Sequence, residues 1–228
     1  MRQFNKFSGI IIALIIILLW SGSLLLFLRG NLSRFNLLQI VIGIWWQTFL
    51  YTGLFINGHE AIHGLVYPSN LKLNNFIGSL SVSLYACFAY DQLREKHWLH
   101  HHYPASELDP DFHDGKNSQF WAWYWHFFKG YWSWWRIGLL ISIFSLISYL
   151  VKIALLQLVL FIFLPSLLSS LQLFYFGTFL PHRHHQVTST YLPMFWSLIT
   201  CYHFGYHQEH HDHPEIPWWK LPDLISNT

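Results

Sequence analysis

Three long, apolar, nearly uncharged regions restrict the architecture of this chain more than anything else in it. Ile10 to Leu28 and Phe35 to Ile56 contain no charged residue, and between Ile137 and Leu180 the only charge is Lys152. About 20 apolar residues cross the hydrocarbon core of a bilayer as a helix. The first two regions therefore supply one span each. The third is long enough for two, with a turn expected near Lys152 to Gln157. The composition agrees, because charged residues make up only 11% of the chain, against about a quarter in soluble domains. The expected fold is all-α and integral to the membrane, with four transmembrane helices in a single domain over residues 1–228. Arg2 and Lys6 ahead of the first run give it a look of a signal peptide. It is long enough to span, however, and no small-residue cleavage pattern follows, so it reads as a retained helix.

Basic residues orient the spans. Of the 13 Lys and Arg, only Arg29, Arg34 and Lys152 fall on one side; Arg2, Lys6, Lys72, Arg94, Lys96, Lys116, Lys129, Arg136, Arg183 and Lys220 fall on the other. The positive-inside bias then places both termini in the cytoplasm, in the cytoplasmic or an internal photosynthetic membrane. Asn75 to Tyr90 is mostly apolar but short for a span, and reads as a re-entrant or interfacial hairpin. The aromatic run from Phe120 to Trp135 reads as an interfacial belt, with a lipid-like substrate channel as the other use of such rings. A net charge of +2 gives no reason to expect a nucleic-acid partner. Cys87 and Cys201 are expected to be buried free thiols.

Three histidine clusters stand near the ends of these apolar regions: His59 and His63, then His97, His100 and His101, then His207, His210 and His211. Spacings of three and four place side chains on one helix face. All three clusters fall on the cytoplasmic side and form a histidine-rich cap. Eight imidazoles exceed the four ligands that usually satisfy one zinc ion, so two metal ions are the natural reading. Imidazole suits iron, copper, nickel and zinc alike. Residues 59–63 also fit the HExxH pattern of zinc proteases, but that reading leaves two full clusters unused. A histidine-lined metal transporter is a further alternative, although transport sites lie near the bilayer midplane.

The three boxes in this arrangement resemble the membrane fatty-acid desaturase and hydroxylase superfamily. More narrowly, the chain resembles the bacterial β-carotene ketolases. The resemblance rests on Asn57-Gly58-His59-Glu60-Ala61-Ile62-His63-Gly64, His97-Trp98-Leu99-His100-His101, Asp109-Pro110-Asp111-Phe112-His113, Phe176 to Arg183, His203 to His211, and Pro217-Trp218-Trp219. It implies a di-iron, dioxygen-dependent enzyme that hydroxylates the allylic C4 of the β-carotene ring twice. Loss of water would then give echinenone and canthaxanthin. Electrons would come from a separate ferredoxin-type donor, docking where Lys72, Arg94, Lys96 and Lys116 offer positive charge. A carotenoid 3-hydroxylase and an acyl-lipid desaturase or hydroxylase of the same superfamily are the alternatives.

His59, His63, His97, His100, His101, His207, His210 and His211 are the expected metal ligands. His182, at the end of the fourth span, is the ninth candidate. His203, one helical turn before His207, is expected either to ligate or to hydrogen-bond near the metal. A ligating imidazole donates its other N–H to an acceptor, and Asp91, Asp109, Asp111 and Glu209 are the candidates, with Glu60 and Asp212 beside them. His113, His126, His184, His185 and His213 are expected at the interface or surface.

Overall fold

The computed structural model describes residues 7–225, so Arg2, Lys6 and the outermost ends of the expected domain lie outside the described residues. In chain order the helices of six residues or more among the described residues are α1 (Ser8–Arg29), α2 (Leu37–Ile62), α3 (Leu71–Ala86), α4 (Tyr90–His102), α5 (Phe120–Gly130), α6 (Trp134–Val151), α7 (Leu155–His182), α8 (Met194–Cys201) and α9 (His207–Asp212). No strand occurs among the described residues. Four of these helices, α1, α2, α6 and α7, are long and apolar enough to cross a membrane. The turn between the last two falls at Lys152 to Ala154, where Lys152 takes a left-handed conformation (φ 56°) that ends α6.

Lipid is as apolar as leucine, so helices associate in it through close packing and buried hydrogen bonds. In this bundle α2 is the central member. Asn36 and Gln39 close a capping box at its start, and most of the residues from Leu50 to Ala61 are buried. α1 lays Gly9, Ala13, Ile16, Trp20 and Leu24 inward at helical spacing. The Thr52 hydroxyl donates to Gln172 Oε1 (2.7 Å) and lies 2.9 Å from Ser169 Oγ, which joins α2 to α7. The second span runs six residues past its expected end at Ile56, because Asn57 to Ile62 continue the helix. The polar residues that seem to end it face protein instead of lipid: the Asn57 amide donates to the Ala13 carbonyl at 3.2 Å.

The short segment after α2 dives and returns. α3 starts at an Asn70 cap and runs antiparallel to α2: Gly78 lies against Ala61, Val82 against Gly58, and Tyr85 against Tyr51. It therefore reaches only about the middle of α2. Cys87 (φ 54°) turns the chain, and α4 climbs back, with the Tyr90 hydroxyl 3.3 Å from Asn75 Oδ1. The re-entrant hairpin thus has α3 as one limb and the start of α4 as the other.

The aromatic belt needs correcting at one position. Trp121, Trp125, Trp134 and Trp135 are exposed as an interfacial belt requires, but Trp123 is fully buried against Phe112, Phe174 and Phe179. Its indole N–H donates to the Asp111 carbonyl at 2.8 Å, so this ring supports the loop that carries Asp109 and Asp111.

Two prolines shape α7. A proline in a helix removes one hydrogen bond and clashes with the carbonyl four residues back. Here those carbonyls belong to Phe161 and Gly177, and both lie in π-helical stretches, Val159–Phe163 and Tyr175–Phe179. The wider winding accommodates Pro165 and Pro181 without ending the helix. It also sets the rotation with which His182, the last residue of α7, meets the bundle. The opposite end of α7 is tied down by Gln157, whose amide donates to the Gly30 carbonyl at 2.7 Å. Cys87 and Cys201 are free, the first only partly buried.

Candidate metal centre

The histidine-bearing ends of α2, α4, α7 and α9 meet at one end of the bundle, and their side chains sort into two groups. His59, His63, His97, His101 and His210 form one; His100, His182, His207 and His211 form the other. Within each group the candidate ligand nitrogens lie within 4.8 Å of one another. The division follows from helix geometry. Successive residues turn about 100°, so positions i and i+4 nearly coincide while i+3 points to the other side of i. In α4, His97 and His101 serve the first group and His100 the second. In α9, His207 and His211 serve the second and His210 the first. The two HxxHH helices face each other, and each contributes to both groups. The His59 and His63 pair completes one group, and His182 completes the other.

The spacing suits metal ions. Nε2 atoms stand 2.7 Å apart between His63 and His97, 3.0 Å between His101 and His210, and 2.9 Å between His182 and His207. In the second group, His211 Nε2 is 3.1 Å from both His100 Nε2 and His207 Nε2. Imidazole–metal bonds of about 2.1 Å at right angles separate their nitrogens by about 3 Å. His59 Nε2 is buried without a partner among the described residues, as a nitrogen meant for a metal would be.

Electrostatics points the same way. Burial, reinforced by neighbouring imidazoles, holds His97, His207, His210 and His211 well below the ordinary histidine pKa. Burial lowers His63 to about 4, and burial with the surrounding histidines lowers His101 to about 2. These rings are neutral at physiological pH, which is the form that ligates. His100 is the exception. Burial pulls it down, but the hydrogen bond and charge of Asp109 outweigh burial and raise it.

Asp109 is buried, with both carboxylate oxygens 3.0 Å from His100 Nδ1. Backbone N–H groups of Ala105 and Asp111 fix it in place. Glu60 approaches His59 Nδ1 at 3.3 Å and accepts the Trp218 backbone N–H at 3.3 Å. Asp111 contacts no imidazole through a hydrogen bond; its Oδ1 accepts the Tyr131 hydroxyl at 2.6 Å. The Nδ1 atoms of His63, His182 and His207 are buried without acceptors among the described residues.

Three expected acceptors lie elsewhere. Asp91 is exposed and paired with Arg94 at 3.0 Å, because six residues before His97 is about 240° round the helix. Glu209 accepts hydroxyls from Ser189 and Tyr191, and Asp212 is exposed. His203 belongs to neither group. Left-handed Tyr202 and His203 (φ 49° and 61°) turn the chain away before α9 begins, and His203 Nδ1 stands 3.0 Å from Ser197 Oγ. His113, His126, His184, His185 and His213 also fall outside both groups. Lys96, one of the four cations expected to face an electron donor, turns inward to the Gly130 carbonyl and the Tyr131 ring.

A cavity of about 940 Å³ runs from the histidines into the bundle. His59, His97, His100 and His207 line one end, and Arg29, Val151 and Ile153 the other. Its outer wall is α6, which contributes Ile137, Leu140, Ile143, Phe144 and Ile147 and has no buried residue of its own. The α6 residues on this wall run from Arg136 to Val151, about 22 Å of helix. Phe127, Phe128, Tyr131 and Trp132 also line it, so part of the aromatic run faces this cavity instead of the membrane interface. Tyr131 was hidden in the sequence among twelve tyrosines, and only its pairing with Asp111 sets it apart.

Residues 35–149 match the model of the fatty acid desaturase family. The chain belongs to this family. It is 41% identical over 184 residues to a β-carotene ketolase of Paracoccus sp. (strain PC1), covering 77% of this chain and 74% of that one. Similarity extends to a β-carotene 4-ketolase 3 of Haematococcus lacustris, 38% identical over 86% of this chain and 64% of the relative. A zeaxanthin 4-ketolase of Chlamydomonas reinhardtii is 40% identical over 76% of this chain and 41% of its own length. No solved structure matches the chain.

Proposed function

We propose that this chain is a membrane-bound β-carotene 4-ketolase with two irons held by the nine grouped histidines. The observation that carries this reading is the apolar cavity that ends on those histidines, in a chain about 40% identical to curated ketolases. A largely apolar cavity among the membrane spans suits a long hydrocarbon that has no polar group to grip. Its length along α6 lets one ring reach the histidines while the polyene lies between α1, α6 and α7.

The donor set fits the metals that the family implies: buried, neutral imidazoles, converging at ligand spacing, with one Nε2 lacking a partner among the described residues. When bound, two irons supply the activation of dioxygen that an unactivated C–H bond requires. The protein supplies the rest. Asp109 accepts the His100 Nδ1–H and so keeps Nε2 free to face the second group. Glu60 does the same for His59, with its second oxygen on the Trp218 N–H. The cavity walls exclude water and align the ring so that C4 is presented to the histidine end. Two successive hydroxylations of C4, each using one dioxygen and two electrons from an external ferredoxin-type donor, followed by loss of water, give the ketone. The histidine end carries the larger share of Lys and Arg, which supports a cytoplasmic active site; Lys72 and Lys116 remain exposed there for a donor.

The test is expression in a bacterium that accumulates β-carotene, with the pigments separated by chromatography. Echinenone and canthaxanthin are the expected products, and His100→Ala should abolish them. C3-hydroxylated pigments would move the assignment to a hydroxylase. Unchanged β-carotene, with iron-loaded protein and a competent donor present, would overturn the reading.

A further inference from the structure

We infer that Asp111, positioned by Tyr131, binds the hydroxyl group that the first oxidation leaves on C4 and retains the alcohol for the second. The inference rests on the ketolase reading above. Making a ketone requires two oxidations of one carbon, whereas a hydroxylase releases its product after one. In the first, CH2, dioxygen, two electrons and two protons give CHOH and water. In the second, CHOH with the same reagents gives C(OH)2 and water, and the diol loses water to leave C=O. The alcohol stage is the point of choice. A hydroxyl in an apolar cavity has no hydrogen-bond partner unless the wall provides one. Without one, the ring turns or leaves and the alcohol becomes the product.

The wall provides an acceptor in the right place. Asp111 lines the otherwise largely apolar cavity beside His100, with a carboxylate oxygen within 4.8 Å of a His100 ring nitrogen. It is only partly buried because it faces this space. Oδ1 takes the Tyr131 hydroxyl at 2.6 Å, while Oδ2 accepts a hydrogen bond from none of the described residues. A carboxylate oxygen left open toward a largely apolar substrate cavity is an acceptor for a ligand hydroxyl. The group is held firmly. Its backbone N–H donates to Asp109 Oδ1 and its carbonyl accepts from Trp123. Tyr131 is fixed in turn, with Lys96 Nζ 4.3 Å from the centre of its ring and the Arg136 guanidinium on its backbone carbonyl. Asp111 is not part of a third metal site, because His100 commits Nδ1 to Asp109 and Nε2 to the second histidine group. A C4 hydroxyl donating to Oδ2 would hold the remaining C4–H in place for the second oxidation.

The test supplies membranes carrying the wild type, Asp111→Leu, Asp111→Asn or Tyr131→Phe with an electron donor, and with either β-carotene or its C4 alcohol. Asp111→Leu should lower kcat/KM for the alcohol about tenfold more than for β-carotene, the size of one hydrogen bond to a charged group. The C4 alcohol should then accumulate, with iron content unchanged. Asp111→Asn retains an acceptor oxygen and should restore part of the ketone. Parallel losses on both substrates, with no accumulated alcohol, would mean that Asp111 only supports the fold and would overturn the inference. If Asp111→Leu fails to insert, Tyr131→Phe decides: a raised KM for the alcohol alone supports the inference, and an unchanged one overturns it. A wild type that forms no C4 product would instead defeat the ketolase reading beneath.

Discussion

Single residues in this protein divide by whether their side chains can turn toward the two histidine groups. His182 and His203 look alike in sequence, each near a box and each in an aromatic setting. His182 is 1% exposed with Nε2 2.9 Å from His207 Nε2, whereas His203 is bonded to Ser197. His203→Ala should therefore leave iron stoichiometry intact, and His182→Ala should lower it; iron analysis of the purified variants checks both, and loss of iron from His203→Ala would refute the division. Asp109→Ala removes the acceptor that fixes His100, so metal affinity should fall roughly 10- to 100-fold. Titration of the metal-free variant with ferrous iron measures this, and an affinity equal to wild type would show that His100 needs no such support.

At the level of the helices, the site depends on how closely α3 lies on α2. A Cβ added at Gly58 would fall 2.2 Å from Val82 Cγ1. Gly58→Ala should destabilise the protein by about 1–3 kcal/mol through overpacking. Adding Val82→Ala, which removes the clashing methyl, should recover much of that. Thermal unfolding in detergent would show it, and two independent, additive losses would count against a shared contact. The effect belongs to this scale because Gly58 precedes His59 in α2, and α3 leads into α4, which carries the second box. The hairpin was readable as a short apolar segment. Its depth was not, because length alone cannot say that Tyr85 meets Tyr51.

For the molecule as a whole, the cavity spans from the histidines to the far turns, and α6 closes it without being packed. Trp in place of Ile147, which lies on the α6 wall well away from the histidines, should block the long polyene. The same variant should still accept a ring-only analogue that does not reach that depth. Expected is a loss of β-carotene turnover of more than tenfold, with ring-analogue turnover and iron content near wild type. Equal losses on both substrates would place the substrate elsewhere.

The sequence by itself determined the four spans, a turn within Lys152 to Gln157 and the grouping of eight histidines into boxes. These follow from local rules: hydrocarbon thickness sets span length, and helical repeat sets which imidazoles share a face. It also named His182 as a ninth candidate and placed Asp109 among six possible acceptors, without distinguishing it from Asp91, Asp111, Glu60, Glu209 or Asp212. Helical repeat separates the i+3 histidine from the i, i+4 pair, but only the tertiary structure decided that the two sides of each HxxHH serve two centres, since that depends on α4 and α9 facing each other. It alone turned Asp91 to the surface, tied His203 to Ser197, buried Trp123 and paired Tyr131 with Asp111. Those outcomes depend on which helix lies opposite, and hydropathy and spacing within one segment hold no record of the neighbour that segment will meet.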